Sequence, residues 1–253
     1  MMKAECAGKS LVSILVSLFS LTSCMAVKEN RRDCPCTLSV VMRSLPEYPA
    51  WLYVNGVSVG EATCDTTLTV WVERGSEARV EVFTGLGPGE DGMVRVPYGF
   101  PCPPLYTFGG MADCSGESGT LTVQLTRQFA VLQLEMVGPG KWGTPYWAEV
   151  RGSSAGLDPW RGTPLPGDFH CRLDGNYCCR LLRQHPEDPL WLDIAMADGV
   201  IRSFPLGEYL VASAYDWEAP NLKDIHLEVN LSISEIRLET DLWSNVIPLP
   251  IVI

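Results

Sequence analysis

The sequence predicts an all-β protein made of two tandem β-sandwich domains. Apolar residues recur at every second position in one stretch after another, which sets one face of each strand in a core and the other in water. No stretch of comparable length has helical period. The 23 glycines and 19 prolines that interrupt these runs make short strands and tight turns the natural reading.

Taken in order, residues 1–23 read as a lipoprotein signal peptide, with Lys3 and Lys9 ahead of an apolar run from Leu11 to Leu21. The run has signal-peptide length and is too short to span a bilayer comfortably. Leu21-Thr22-Ser23-Cys24 closes it with an aliphatic residue, two small residues and a cysteine, the lipobox pattern of bacterial lipoproteins. Small side chains fit a peptidase beside the scissile bond, and the Cys24 thiol is the expected lipid acceptor. Several acyl chains there, each buried methylene contributing about 0.8 kcal/mol, make an effectively permanent tether. Residues 24–36 are then a short lipid-anchored linker that ends in Asp33-Cys34-Pro35-Cys36.

Strand patterning starts at Leu38. It is less regular at Leu52, Val54 and Thr66 to Val72, and clear at Val80 and Val82 against Arg79 and Glu81. Leu121, Val123 and Leu125 alternate with Thr120, Thr122, Gln124 and Thr126, and Leu132, Leu134 and Met136 with Gln133 and Glu135. Gly138-Pro139-Gly140-Lys141-Trp142-Gly143-Thr144-Pro145 is the densest group of turn formers. It divides the chain into an N-terminal domain, 37–138, and a C-terminal domain, 145–253. In the second half, Leu190 to Met196 reads as a buried strand followed by a hairpin turn at Ala197-Asp198-Gly199. Ile225, Leu227, Val229, Leu231 and Ile233 alternate strictly, and Ile236 and Leu238 resume out of phase, which implies a turn or bulge near Ser234-Glu235.

The end of the chain is apolar, and Trp243, Val246, Ile247, Leu249, Ile251 and Ile253 are candidate partner-binding residues. Pro248 and Pro250 have no N–H to donate, which confines this run to an edge strand or to pairing on one side.

Composition narrows the function. A net charge of −11 is the wrong sign for phosphate-backbone binding, so nucleic acid is not an expected partner. Gly152-Ser153-Ser154-Ala155-Gly156 matches the nucleophile-elbow spacing of hydrolases, but Pro159, Pro164 and Pro166 exclude the helix that must follow the serine. Gly85 to Gly92 lacks the lysine and helix of a phosphate loop and reads as a turn. His170, Cys171, Cys178 and Cys179 are close in sequence without the paired spacing of zinc sites. The chain is therefore expected to have no catalytic residue, metal or cofactor.

Of ten cysteines, Cys6 leaves with the signal and Cys24 takes lipid, which leaves eight that export permits to pair. Connectivity stays open. Cys34 and Cys36, if extended, sit about 6.6 Å apart, near the upper limit for a bridge, and adjacent Cys178 and Cys179 would need a strained ring.

With its lipobox followed by Glu29-Asn30-Arg31-Arg32-Asp33-Cys34-Pro35-Cys36 and a strand, the chain resembles the Bacteroidetes fimbrillin-associated anchor lipoproteins, the FimB-type minor fimbrial subunits. Pro104 to Phe108, Thr120 to Leu125 leading through Arg127 and Ala130 into a second strand, Tyr215-Asp216-Trp217 and Trp243 to Pro248 also fit. The resemblance implies transthyretin-like sandwiches, an outer-membrane lipid anchor on Cys24, and strand-exchange contact with fimbrial shaft subunits at the base of a fimbria. A strand added to an open sheet edge binds through backbone hydrogen bonds and alternate side-chain pockets, and needs no catalytic residue. Two other readings remain. The protein is a tip or accessory subunit, or it is a surface lipoprotein that binds glycan through exposed tryptophans.

Overall fold

The computed structural model describes residues 34–89, 91–137, 145–196, 199, 201–230, 235–240 and 243–248. The signal segment, Cys24, most of the 138–145 turn cluster, and Leu249, Ile251 and Ile253 lie outside the described residues. In chain order the strands of the first half are β1 (Cys36–Met42), β2 (Ala50–Val54), β3 (Val57–Ala62), β4 (Thr66–Val72), β5 (Glu77–Thr84), β6 (Val94–Arg95), β7 (Tyr106–Asp113), β8 (Ser118–Val123) and β9 (Thr126–Arg127). They continue with β10 (Phe129–Val137), β11 (Pro145–Asp158), β12 (Thr163–Arg172), β13 (Cys178–Leu182), β14 (Leu190–Met196), β15 (Ile201–Phe204), β16 (Ile225–Asn230), β17 (Glu235–Thr240) and β18 (Trp243–Pro248). The fold is all-β, as expected, arranged as two pairs of facing sheets.

The first pair joins a three-stranded sheet, β4-β1-β8, to a larger one, β3-β2-β5-β7-β9. Strict alternation on β1 buries Leu38, Val40 and Met42, which meet Leu52, Val54, Val80 and Val82 in one apolar cluster. Each such side chain, fully buried, contributes about 1.5–3 kcal/mol. The β2–β3 hairpin turns on Asn55-Gly56, both at positive φ (51° and 77°), the conformation a two-residue type I′ hairpin requires. Asn55 Oδ1 also accepts the Arg79 N–H at 2.8 Å, which ties the hairpin to β5.

The second pair joins β13-β10-β16-β17-β18 to β12-β11-β14-β15. Its core holds Leu132, Leu134, Val150, Leu157, Phe169, Leu192, Ile194 and Leu227. The strand β10, placed before the boundary in the expected division, hydrogen-bonds to β13 and β16. The strands thus pass from the first pair of sheets to the second between β9 and β10, at Gln128. Turn-forming composition marks where a chain bends, and it does not say which sheet the flanking strands join.

The connection from β5 to β7 also crosses over. β6 pairs with β11, and Val94, Val96, Cys102 and Leu105 are buried in the second core. This explains the burial pattern of β5. Ala78, Val80 and Val82 face the first core, while Phe83 joins the second cluster, and Glu81 is buried beside Arg79 at 2.6 Å. The wet face expected for Glu81 is covered because β5 is sandwiched on both sides at that end.

Among the described residues one short helix, α1 (Leu206–Ala212), interrupts the strands. Leu206, Tyr209 and Leu210 have the i, i+3, i+4 spacing that points to one face, and all three are buried. Pro205 precedes it, where a missing N–H costs no helix hydrogen bond.

Candidate functional site

The expected binding mode depends on which strands are paired on both sides. β1 is hydrogen-bonded along its length to β4 on one side, antiparallel from Cys36↔Val72 to Met42↔Thr66. On the other side it runs parallel to β8 from Thr37↔Ser118 to Met42↔Val123. The strand that follows the linker is therefore an interior strand with no free edge.

At the other end, β18 pairs with β17 from Thr240↔Trp243 to Glu235↔Pro248 and, among the described residues, is the last strand in the order β13-β10-β16-β17-β18. Trp243, Val246 and Ile247 thus lie on an edge strand that ends at Pro248. Of the candidate partner-binding residues, Leu249, Ile251 and Ile253 fall outside the described residues.

A cleft of about 520 Å³ opens where the two pairs of sheets meet, lined by Thr107 and Phe108 of β7, Gln128, Trp160, Arg183 and Asn221 among others. The turn between β11 and β12 forms one wall. Asp158 Oδ1 accepts the N–H groups of Trp160 at 2.9 Å and Arg161 at 3.3 Å, and Gly162, at φ 66°, donates its N–H to Asp158 O at 2.8 Å. This Asp-to-Gly turn carries Trp160 to the first pair of sheets, where the Arg79 guanidinium sits 4.6 Å from its ring centre.

Arg183 forms the floor. It is buried, and its Nε donates to Gln128 Oε1 at 2.7 Å, its Nη2 to Ala219 O at 2.8 Å, and its Nη1 to Trp217 O. Burial pulls its pKa below the ordinary arginine value. These bonds tie the 217–219 loop to Gln128, the residue at which sheet membership changes. Arg127, next to it, pairs with Asp224 at 2.5 Å, and the same carboxylate oxygen accepts the Val131 N–H at 2.9 Å. The groups at this junction are committed to holding the two halves together.

The other sequence candidates are dispersed. Ser154 lies inside β11, which runs through Gly152 to Gly156 as a strand with register shifts and leads into β12 instead of a helix. Its side chain is 1% exposed and donates to Asp188 Oδ2 at 3.1 Å. A strand serine buried in this way lacks the exposed turn of a nucleophile elbow. His170 contacts Glu149 Oε1 through Nδ1 at 2.7 Å and packs on Tyr98 at 4.4 Å, while its neighbour Cys171 points into the core. Successive residues on a strand face opposite ways, so the pair does not converge on one metal position. No cluster of metal-ligating residues occurs among the described residues.

Among the described residues, the exposed tryptophans do not form one surface. Among the described residues, Trp71 on β4 is 76% exposed beside Val57 in a groove between β3 and β4, and Trp191 on β14, 37% exposed, lines a separate groove beside α1. Trp217 is buried in the second core.

No protein-family model and no curated protein matches the sequence. Solved structures match the fold. The fimbrial anchor protein Mfa2 from Porphyromonas gingivalis aligns over 83% of this chain and 99% of its own, with a TM-score of 0.60 at 10% identity. A candidate polysaccharide-binding protein (DUF1812) from Bacteroides thetaiotaomicron aligns over 84% and 98%, with a TM-score of 0.59 at 14% identity. A candidate adhesin from Bacteroides ovatus aligns over 88% and 97%, with a TM-score of 0.54 at 12% identity. At such identities the likeness is one of fold, and it extends across both pairs of sheets.

Proposed function

We propose that this chain is a non-enzymatic, lipid-anchored subunit of a fimbria-like polymer, held at the outer membrane through Cys24 and bound to a shaft subunit through strand exchange. The observation that carries the reading is the contrast between the two terminal strands. β1 is paired on both sides over its length, whereas among the described residues β18 stands last in its sheet, paired with β17 alone. A subunit that keeps its first strand has its own sheet filled and suits the end of a polymer, and an edge strand offers N–H and C=O groups to a partner.

The fold shared with a fimbrial anchor supports this reading, as does the lipobox at Leu21 to Cys24. We take the two pairs of sheets as two domains that meet at Gln128. Trp71 and Trp191 lie in different grooves, which gives a glycan platform little support.

Two measurements test the proposal. Labelling with a radioactive fatty acid should mark the full chain and not Cys24→Ala. Co-purification of shaft subunits from surface extracts should be lost when Val246→Lys or Ile247→Lys is introduced on β18. Shaft capture by both variants at wild-type level would overturn the contact through β18. Hydrolase activity that is lost on Ser154→Ala would overturn the non-enzymatic reading.

A further inference from the structure

We propose that each pair of sheets carries one intersheet disulfide in the exported protein, Cys36–Cys114 in the first and Cys171–Cys179 in the second.

Cys36 opens β1 in the smaller sheet of its pair, and Cys114 directly follows β7 in the facing sheet. Both are fully buried in the first core. Backbone bonds bracket them. Thr37 N donates to Glu117 O at 2.9 Å and Gly75 N to Cys114 O at 3.0 Å, so the strand start and the end of β7 are held together independently of sulfur. Burial, and then the Cys36 thiol beside it, push the Cys114 pKa up to about 11.

The second pair repeats the arrangement. Cys171 is on β12 and Cys179 on β13, strands of opposite sheets, and both are buried in the second core. The short connection between them is fixed by Leu173 N to Ala148 O at 2.9 Å and Asp174 N to Cys178 O at 3.0 Å. Cys179 donates to Cys171, which lowers the Cys171 pKa and raises that of Cys179.

The remaining thiols are placed otherwise. Cys34 and Cys64 are exposed. Cys178 follows the strand alternation away from Cys179, and Cys102 lies on the crossover segment between β6 and β7, its N–H donating to Arg180 O at 3.0 Å. An exposed pair of sheets closed by a buried cystine is restrained at a point where strands far apart in sequence meet, and the Cys36–Cys114 bridge closes a much longer loop than Cys171–Cys179.

Oxidation rests on the export reading above and not on the fimbrial one. In each pair the two thiols lose two protons and two electrons and an S–S bond forms. The electrons and protons pass to the disulfide of a thiol–disulfide oxidoreductase in the exported compartment, which leaves as a dithiol after a mixed-disulfide step. Because the folded chain buries both pairs, the exchange takes place while the strands assemble.

The test uses the full chain expressed with its own export segment. Membrane and cytosolic fractions are denatured with an alkylating reagent and no reductant, digested and sequenced by mass spectrometry, with fragmentation to separate Cys34 from Cys36, Cys102 from Cys114 and Cys178 from Cys179. Linked peptides Cys36–Cys114 and Cys171–Cys179 in the membrane fraction are the expected result. Alkylated thiols at these four positions in an exported chain, or any other pairing, would overturn the disulfides alone. A chain found wholly in the cytosol would overturn the export reading and the disulfides together. In denaturation of the exported chain, a reductant should lower the midpoint, and Cys36→Ala with Cys114→Ala should abolish most of that shift.

Discussion

The Cα of Gly109 on β7 faces the main-chain carbonyl of Trp160, and a Cβ at that position would lie 2.2 Å from the Trp160 oxygen. The obstacle is backbone, which cannot rotate aside as a side chain does. Any residue larger than glycine here must push the β11–β12 turn off the first pair of sheets. Gly109→Ala is expected to cost about 1–3 kcal/mol, the range for forced overpacking, and to redden and broaden the emission of Trp160. Urea denaturation and fluorescence check both, with Gly75→Ala as a comparison whose cost comes from its φ of 90° and not from contact.

Arg183→Met should destabilise the protein by roughly 3 kcal/mol, because Gln128 Oε1 and the carbonyls of Trp217 and Ala219 lose a charged donor in a buried setting. The 217–219 loop should loosen first. Hydrogen exchange of amides around Gln128 and Leu222 is the measurement, and unchanged protection would show that the junction is held by packing alone.

Asp91 grips Arg95 through two hydrogen bonds, at 2.6 and 3.0 Å, and accepts the Met93 N–H, which lowers its pKa from 3.8 to about 2. A carboxylate with a depressed pKa stabilises the fold fully above its unfolded value and ceases to do so as pH falls through its folded one. The 91–95 turn should accordingly hold at pH 5 and open between pH 4 and pH 2, as followed by the Asp91 carboxyl resonance. Both groups are exposed, so added salt should weaken the effect.

Ser154→Ala removes the bond to Asp188 and is expected to cost about 1 kcal/mol of stability without altering any interaction with a partner. Thermal unfolding and shaft-subunit capture, measured on the same preparation, separate the two effects.

Much of the strand content was legible because alternation is local. Leu132, Leu134 and Met136 announce β10, and Ile225, Leu227 and Val229 announce β16, since the period of two is set by the pleat itself. That Trp243 to Pro248 is an edge strand or is paired on one side was also expected, from a proline that lacks a donor, and among the described residues it stands last in its sheet. Other signals were present and went unread. Asn55-Gly56 marks the β2–β3 hairpin, and Leu206, Tyr209 and Leu210 mark the short helix. Of the site, the sequence offered Ser154 by motif and His170 only by its nearness to three cysteines, while the junction residues Gly109, Arg183 and Gln128 belong to no motif.

By itself, then, the sequence determined where many of the strands form and which of their faces is apolar, and it carries a lipobox-like run ahead of them, because each of these is written in neighbouring residues. Only the tertiary structure decided the partners: β1 beside β8 in parallel, β10 among the strands of the second half, and the far end of β5 covered on both faces. Parallel pairing and cross-sheet burial join residues far apart in the chain, and the free energy that selects them comes from the completed cores rather than from any local pattern.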